Sequence, residues 1–125
     1  MAEKTLGSLI VRVGLDGVNF DKGLKNINSR IQLARSELKA AASSFDNFGK
    51  TVDSLRVKQD YLAKMYQLSG ERVKALKKQY DELVKAHGAE SDAALKAGKS
   101  LNQAISQYNR LGRELESVKN DIREL

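Results

Sequence analysis

The chain has 125 residues, a net charge of +6, a hydrophobic share of 41%, and no proline, cysteine or tryptophan. That length bounds it to one ordinary domain. The missing cysteines exclude a disulfide framework, a thiolate nucleophile and a thiolate metal site. No run approaches the ~18 apolar residues of a membrane helix.

The missing proline suits long helices, because proline removes a backbone donor and clashes with the preceding turn. With only 6% aromatics, the chain suits thin seams between helices better than a broad core. The run Leu9-Ile10-Val11 is cut by Arg12 and is too short for a signal-peptide core, so the chain reads as soluble and not exported by the general pathway. The positive excess is spread out. Residues 1–50 and 51–88 each carry eight Lys/Arg against five Asp/Glu, and residues 89–125 carry six against six. Lys74, Lys77 and Lys78 form the densest basic cluster, without interleaved aromatics, so a solvated helix face is favoured over a nucleic-acid surface.

In chain order, residues 5–15 alternate as a strand does, with Leu9, Val11, Val13 and Leu15 on one side. Asp16-Gly17 closes it with a turn. A lone strand cannot satisfy its own ladder, so this segment is expected to make an assembly contact. Gly14-Leu-Asp-Gly17 matches the GxxG of a nucleic-acid-binding loop, but the flanking helix–strand order is missing and a plain turn is favoured.

A helix is expected from about Asn19, with Asn19 as its cap and Asp21 complementing the dipole. Its apolar stripe is Phe20, Leu24, Ile27, Ile31, Ala34, Leu38, Ala41, Phe45 and Phe48. The four-three spacing continues without a slip through Phe48 into Val52 and Leu55, which favours one continuous or kinked helix over about 20–87. Ser43, Ser44, Asn47, Gly49 and a potential cap at Thr51 support the alternative, a break at 46–50. Continuous, this helix leaves Leu24, Ile27, Ile31, Leu38, Phe45 and Phe48 as an uncovered stripe. With Leu9, Val11, Val13 and Phe20, these form the candidate surface for self-association or a partner.

From Val52 to His87 a seam runs through Val52, Leu55, Gln59, Leu62, Tyr66, Ser69, Val73, Leu76, Tyr80 and Leu83, at the coiled-coil period. Gly88 and Ser91 or Asp92 have the chemistry of a helix stop and a new cap, so a bend is expected at 88–91. His87, in the last turn, is given a capping or packing role. A return helix over 92–125 carries Leu101, Ile105, Tyr108, Leu111, Leu115, Val118, Ile122 and Leu125. Ile105, Tyr108 and Leu111 step by three and three, which predicts a local stammer. Gly98 and Gly112 thin this helix and allow close approach.

The expected fold is mainly α: a long helical hairpin, or antiparallel coiled coil, preceded by one short N-terminal β-strand. Its segments are a strand and turn over 1–18, a long helix over 19–87, a bend over 88–91 and a return helix over 92–125. The helical pattern still runs at Leu125, which is the expectation for a piece of a longer parent chain.

No nucleophile elbow, phosphate loop, dinucleotide fingerprint or zinc spacing appears. Asp81-Glu82 and Glu114/Glu116 point to different sides of a helix. The sequence therefore gives no catalytic residue, metal site or cofactor.

One resemblance adds to this reading. Leu6-Gly-Ser-Leu-Ile-Val-Arg-Val-Gly-Leu-Asp-Gly17, Phe20-Asp-Lys-Gly-Leu24 and Phe45-Asp-Asn-Phe-Gly49 come first. They are followed by Lys77-Lys-Gln-Tyr-Asp-Glu-Leu83, Gly88-Ala-Glu-Ser91 and Asn102 to Leu115. Taken in this order they resemble the N-terminal region of tape measure proteins of long-tailed phages and prophages of Gram-positive bacteria. The resemblance covers nearly the whole chain and rests on patterns, not on a catalytic signature. It implies a structural protein of the phage tail that sets tube length, at ~1.5 Å of ruler per helical residue. It implies tail tube protein and tail assembly chaperones as partners; the unpaired strand and the Phe20–Phe48 stripe add the expectation of a homo-oligomer, and the sequence gives no sign of a small-molecule substrate or membrane contact. It places the protein in the host cytoplasm during assembly and in the lumen of the tail tube in the virion. The competing expectations are a generic bacterial coiled-coil adaptor or scaffold and a basic helical nucleic-acid-binding protein.

Overall fold

A computed structural model describes the backbone of residues 5–125 and the side chains of residues 22–125. Three helices follow in order: α1 over Thr5–Ala42, α2 over Val52–His87 and α3 over Asp92–Glu124. With 38, 36 and 33 residues, each is about 50–57 Å long. The fold is therefore mainly α, and the expected antiparallel pair is α2 with α3. α2 lies between the other two and packs against both.

The described residues contain no strand. The strand expected over 5–15 is not seen, since the backbone from Thr5 belongs to α1. A helix satisfies its amides internally, whereas a strand without a neighbour leaves them unpaired. Asn19 lies inside this helix and does not cap it. The side chains of Leu9, Val11, Val13 and Phe20 lie outside the described residues.

The continuous helix expected over 20–87 is also corrected. α1 stops at Ala42, α2 starts at Val52, and α1 folds back along α2. Local chemistry overrides heptad phase here. The hydroxyls of Ser43 and Ser44 donate to the carbonyls of Ala40 and Ala41, at 2.6 and 2.7 Å, the kind of local bond that competes with helix continuation. Gly49 takes φ +87°, a conformation glycine adopts at little cost. Thr51 then caps α2: its Oγ1 accepts from the Ser54 amide.

Ser54 is the centre of this turn and is fully buried. Its Oγ accepts from the Gly49 amide at 2.9 Å and from Thr51 Oγ1 at 2.9 Å, and it can donate to the Thr51 carbonyl at 3.0 Å. One hydroxyl thus ties the outgoing loop to the first turn of α2. Phe45 and Phe48 stack in a tilted pair with centroids 5.9 Å apart.

The second turn follows its sequence signals. Gly88 ends α2 at φ +91°, with its amide bonded to the Val84 carbonyl, and Ser91 caps α3 by accepting from the Ala94 amide.

Two apolar clusters fill the bundle. One joins Ala34, Leu55, Leu62, Met65, Leu111 and Val118, with Leu38, Tyr66, Leu115 and Ile122 against it. The other joins Leu76, Leu101 and Ala104, with Leu24, Val73 and Tyr80 against it. Replacing Ser54 with alanine leaves the Gly49 amide and the Thr51 hydroxyl without their acceptor. Urea denaturation of Ser54→Ala is expected to show a loss of about 1–2 kcal/mol.

Candidate interaction surfaces

The α2–α3 seam is built from tyrosines set against glycines. Tyr66 Cε1 would lie 3.0 Å from a Cβ on Gly112, Tyr80 Cε1 3.2 Å from one on Gly98, and Tyr108 Cε1 3.1 Å from one on Gly70. The two members of each pair are equidistant in sequence from Ala89. Each contact thus repeats one antiparallel register, with the turn at its centre. Between them Tyr66 and Tyr108 stack, with ring centroids 4.4 Å apart and planes 10° apart. Arg72 donates to Gln107 Oε1 on the facing helix at nearly the same register.

The predicted hairpin seam falls into two burial classes. Leu55, Leu62, Leu76, Leu101, Leu111 and Val118 are buried, and Val52, Tyr66, Val73, Tyr80, Leu83, Tyr108, Leu115 and Ile122 are half-buried. Two of the seam residues are placed differently. Ile105 is 37% exposed, while Ala104 beside it is fully buried, and Leu125 is 65% exposed. The stripe on α3 runs through Ala94, Ala97, Leu101, Ala104, Tyr108, Leu111, Leu115, Val118 and Ile122. That is unbroken three-four spacing, so the expected stammer does not exist. The polar seam residue Ser69 is buried, and its Oγ has no hydrogen-bond partner.

The part of the expected partner stripe from Leu24 to Phe48 is instead largely an internal contact. Ile31 is 5% exposed, and Leu24, Ile27, Leu38, Phe45 and Phe48 are half-buried. Folding α1 back covers with α2 what a straight helix leaves open. Glu37 of α1 meets Lys64 of α2 at 3.8 Å, a surface pair of small energetic weight. Met65 and Leu68 of α2 are buried and lie outside the single predicted seam, because α2 has two neighbours and needs two apolar faces.

The remaining surface is polar and open. A shallow groove on α3 is lined by Tyr80, Leu95, Lys99, Asn102, Ser106 and Arg110, and no carboxylate converges with these groups. The basic cluster shares its groove with Asp81 and Glu82, and Lys77 pairs with Asp81 at 3.3 Å. His87 is exposed at the end of α2. Among the described residues, no group of three or more His, Asp or Glu side chains could hold a metal ion, and no helix is long and apolar enough to cross a membrane. No family model matches the chain, and neither a curated protein nor a solved structure is detectably similar to it.

Glycine-to-alanine changes test the seam. At Gly23, where an added Cβ meets nothing, alanine should stabilise by about 0.5–1 kcal/mol through helix propensity. At Gly112 the same change forces the stacked Tyr66 ring aside, and chemical denaturation should show no gain or a net loss.

A hydrogen bond with Tyr108, then desolvation, then repulsion between the two rings' charged forms, raises the Tyr66 pKa above the ordinary tyrosine value. The fold therefore favours the neutral phenol. The stability this contributes is complete below the ordinary value near 10 and is lost as pH rises through the raised one. Tyr108→Phe should shift the alkaline absorbance titration of Tyr66 downwards.

Proposed function

We propose that this chain is the N-terminal part of a tail tape measure protein of a long-tailed phage or prophage. In this role it is a structural, non-enzymatic component of tail assembly. The ordered set of segments from Leu6-Gly-Ser to Asn102–Leu115 carries the reading. It is supported by helices of nearly equal length joined by thin seams, with no converging chemical groups among the described residues.

On this reading the partners are tail tube protein and assembly chaperones. The chain works in the host cytoplasm during assembly and in the tail tube lumen afterwards. The folded-back form refines its part in the parent protein. Fully extended as helix, 125 residues would measure about 190 Å, but the bundle is about 55 Å long. This segment therefore serves as a docking head, and the length-setting ruler is the remainder of a longer parent chain. A bacterial coiled-coil adaptor is the second reading, favoured by the same bundle geometry. A nucleic-acid role is disfavoured by the carboxylates interleaved with Lys74, Lys77 and Lys78.

In-frame deletion of residues 51–87 from the parent gene removes the helix on which both others pack. Electron microscopy of lysates should then show few or no tails. Tails shorter by about 55 Å would assign these residues to the ruler instead of a docking head. Tails unchanged in number and length would overturn the tape measure reading.

A further inference from the structure

The α1 and α2 stripes are mirror images about Lys50. Leu24 and Leu76, Ile31 and Ser69, Leu38 and Leu62, Phe45 and Leu55, and Phe48 and Val52 are each equidistant from it. The fold uses this symmetry. Leu24 packs on the cluster that contains Leu76, Leu38 packs on the cluster that contains Leu62, and the Glu37–Lys64 contact keeps the same register to within one residue.

Such a pattern can be satisfied in two ways. A chain can fold back at residue 50 and pair with itself. Alternatively, two straight chains can cross antiparallel at residue 50 and make the same contacts with each other. A loop that only reverses the chain has no need to keep the heptad phase, yet Phe45 and Phe48 hold it through the turn.

We propose that two copies of this chain exchange α1. In the exchanged form α1 and α2 join through residues 43–51 into one helix. The α1 of each copy then occupies the place on the partner copy's α2 that its own α1 fills in the monomer. Each α2–α3 pair stays intact.

Part of the intervening segment already makes helix-type bonds, while Gly49 and the extended Thr51 break the path. The Ser43 amide bonds to the Lys39 carbonyl, and those of Ser44, Phe45 and Lys50 bond three residues back. Gly49 alone among residues 43–51 has positive φ. The chain has no proline to block a helix there. Closure depends on the Ser54 hydroxyl, a local latch at the turn. Exchange keeps the clusters of the monomer and adds contacts at the crossing, where Phe45 and Phe48 of one copy face Leu55 and Val52 of the other. Exchange of an identical element is a low-cost route to a dimer, because nearly every contact already exists.

The test uses the absence of native cysteine. Glu37→Cys and Lys64→Cys chains are mixed, unfolded together, refolded at high micromolar concentration and treated with a short bis-maleimide. The expected product is a dimer linked between position 37 of one chain and position 64 of the other. Gly49→Ala disfavours the closed turn, and Ser54→Ala removes the latch without altering the backbone. Each should raise the dimer fraction, by on the order of tenfold for Gly49→Ala. Sedimentation showing only monomer for wild type and both variants overturns the proposal. So do dimers whose links join only like positions, which report side-by-side association.

Discussion

Tyrosine rings lying on glycines hold α2 and α3 in one register, and the rest of the bundle depends on that register. Each glycine removes the side chain that would otherwise meet the ring, so the two backbones approach closely at Gly70, Gly98 and Gly112. The three contacts act together because they are symmetric about the same turn. Sliding α3 along α2 would set Tyr66, Tyr80 and Tyr108 against side chains in place of glycines at once. Where the facing position on α3 is Ile105 instead of glycine, the residue at the same distance from Ala89 on α2 is Val73, not a tyrosine. Glycine in a helix interior costs about 1 kcal/mol relative to alanine. Here that cost sets a specific alignment that aliphatic packing alone would leave less well defined.

With α2 and α3 aligned, α1 has a surface to return to. Ala34 is 1% exposed and shares a cluster with Met65, so α1 adds a second, smaller buried contact to the α2–α3 pair. The two turns differ in chemistry. The one at 88–91 is short, with a glycine stop and a serine cap. The one at 43–51 is longer and consists mostly of hydrogen-bonded turns. The Ser54 hydroxyl joins the Gly49 amide and Thr51 across it. Ser69 adds a buried hydroxyl without a partner in the middle of α2. Such a group lowers stability at its position but also discriminates among alternative seams.

The end of α2 at His87 and the turn at 88–91 were legible because stop, cap and seam all agreed there. At 43–51 two signals conflicted. Ser43, Ser44, Asn47, Gly49 and Thr51 indicated a break, and the unbroken phase indicated a helix. The phase was misleading because the chain turns back at 43–51 even though Phe45 and Phe48 keep the spacing through the turn. Met65 and Leu68 were missed because one stripe per helix presumes one neighbour per helix. Ile105 was read into the stripe, whereas the buried position is Ala104 beside it. A small buried residue carries the spacing as well as a large one, and hydrophobicity alone hides that. The glycines of α3 were read as points of close approach, but their tyrosine partners were not. A legible signal existed: Tyr66 and Tyr80 are two heptads apart, as are Gly98 and Gly112.

On the tape measure reading proposed above, the symmetry about Lys50 also bears on length. In the closed bundle α1 and α2 lie side by side and together span about 55 Å. Joined into one helix from residue 5 to 87, the same residues span about 125 Å. Nearly the same side-chain contacts hold either arrangement, so the difference in reach, about 70 Å, costs little in packing. What separates the two is the turn: the Gly49 conformation and the Ser54 hydroxyl on one side, the Phe45 and Phe48 contacts at the crossing on the other. On the reading and the exchange proposed above, the reach of this segment is set by a choice at nine residues and not by residue number.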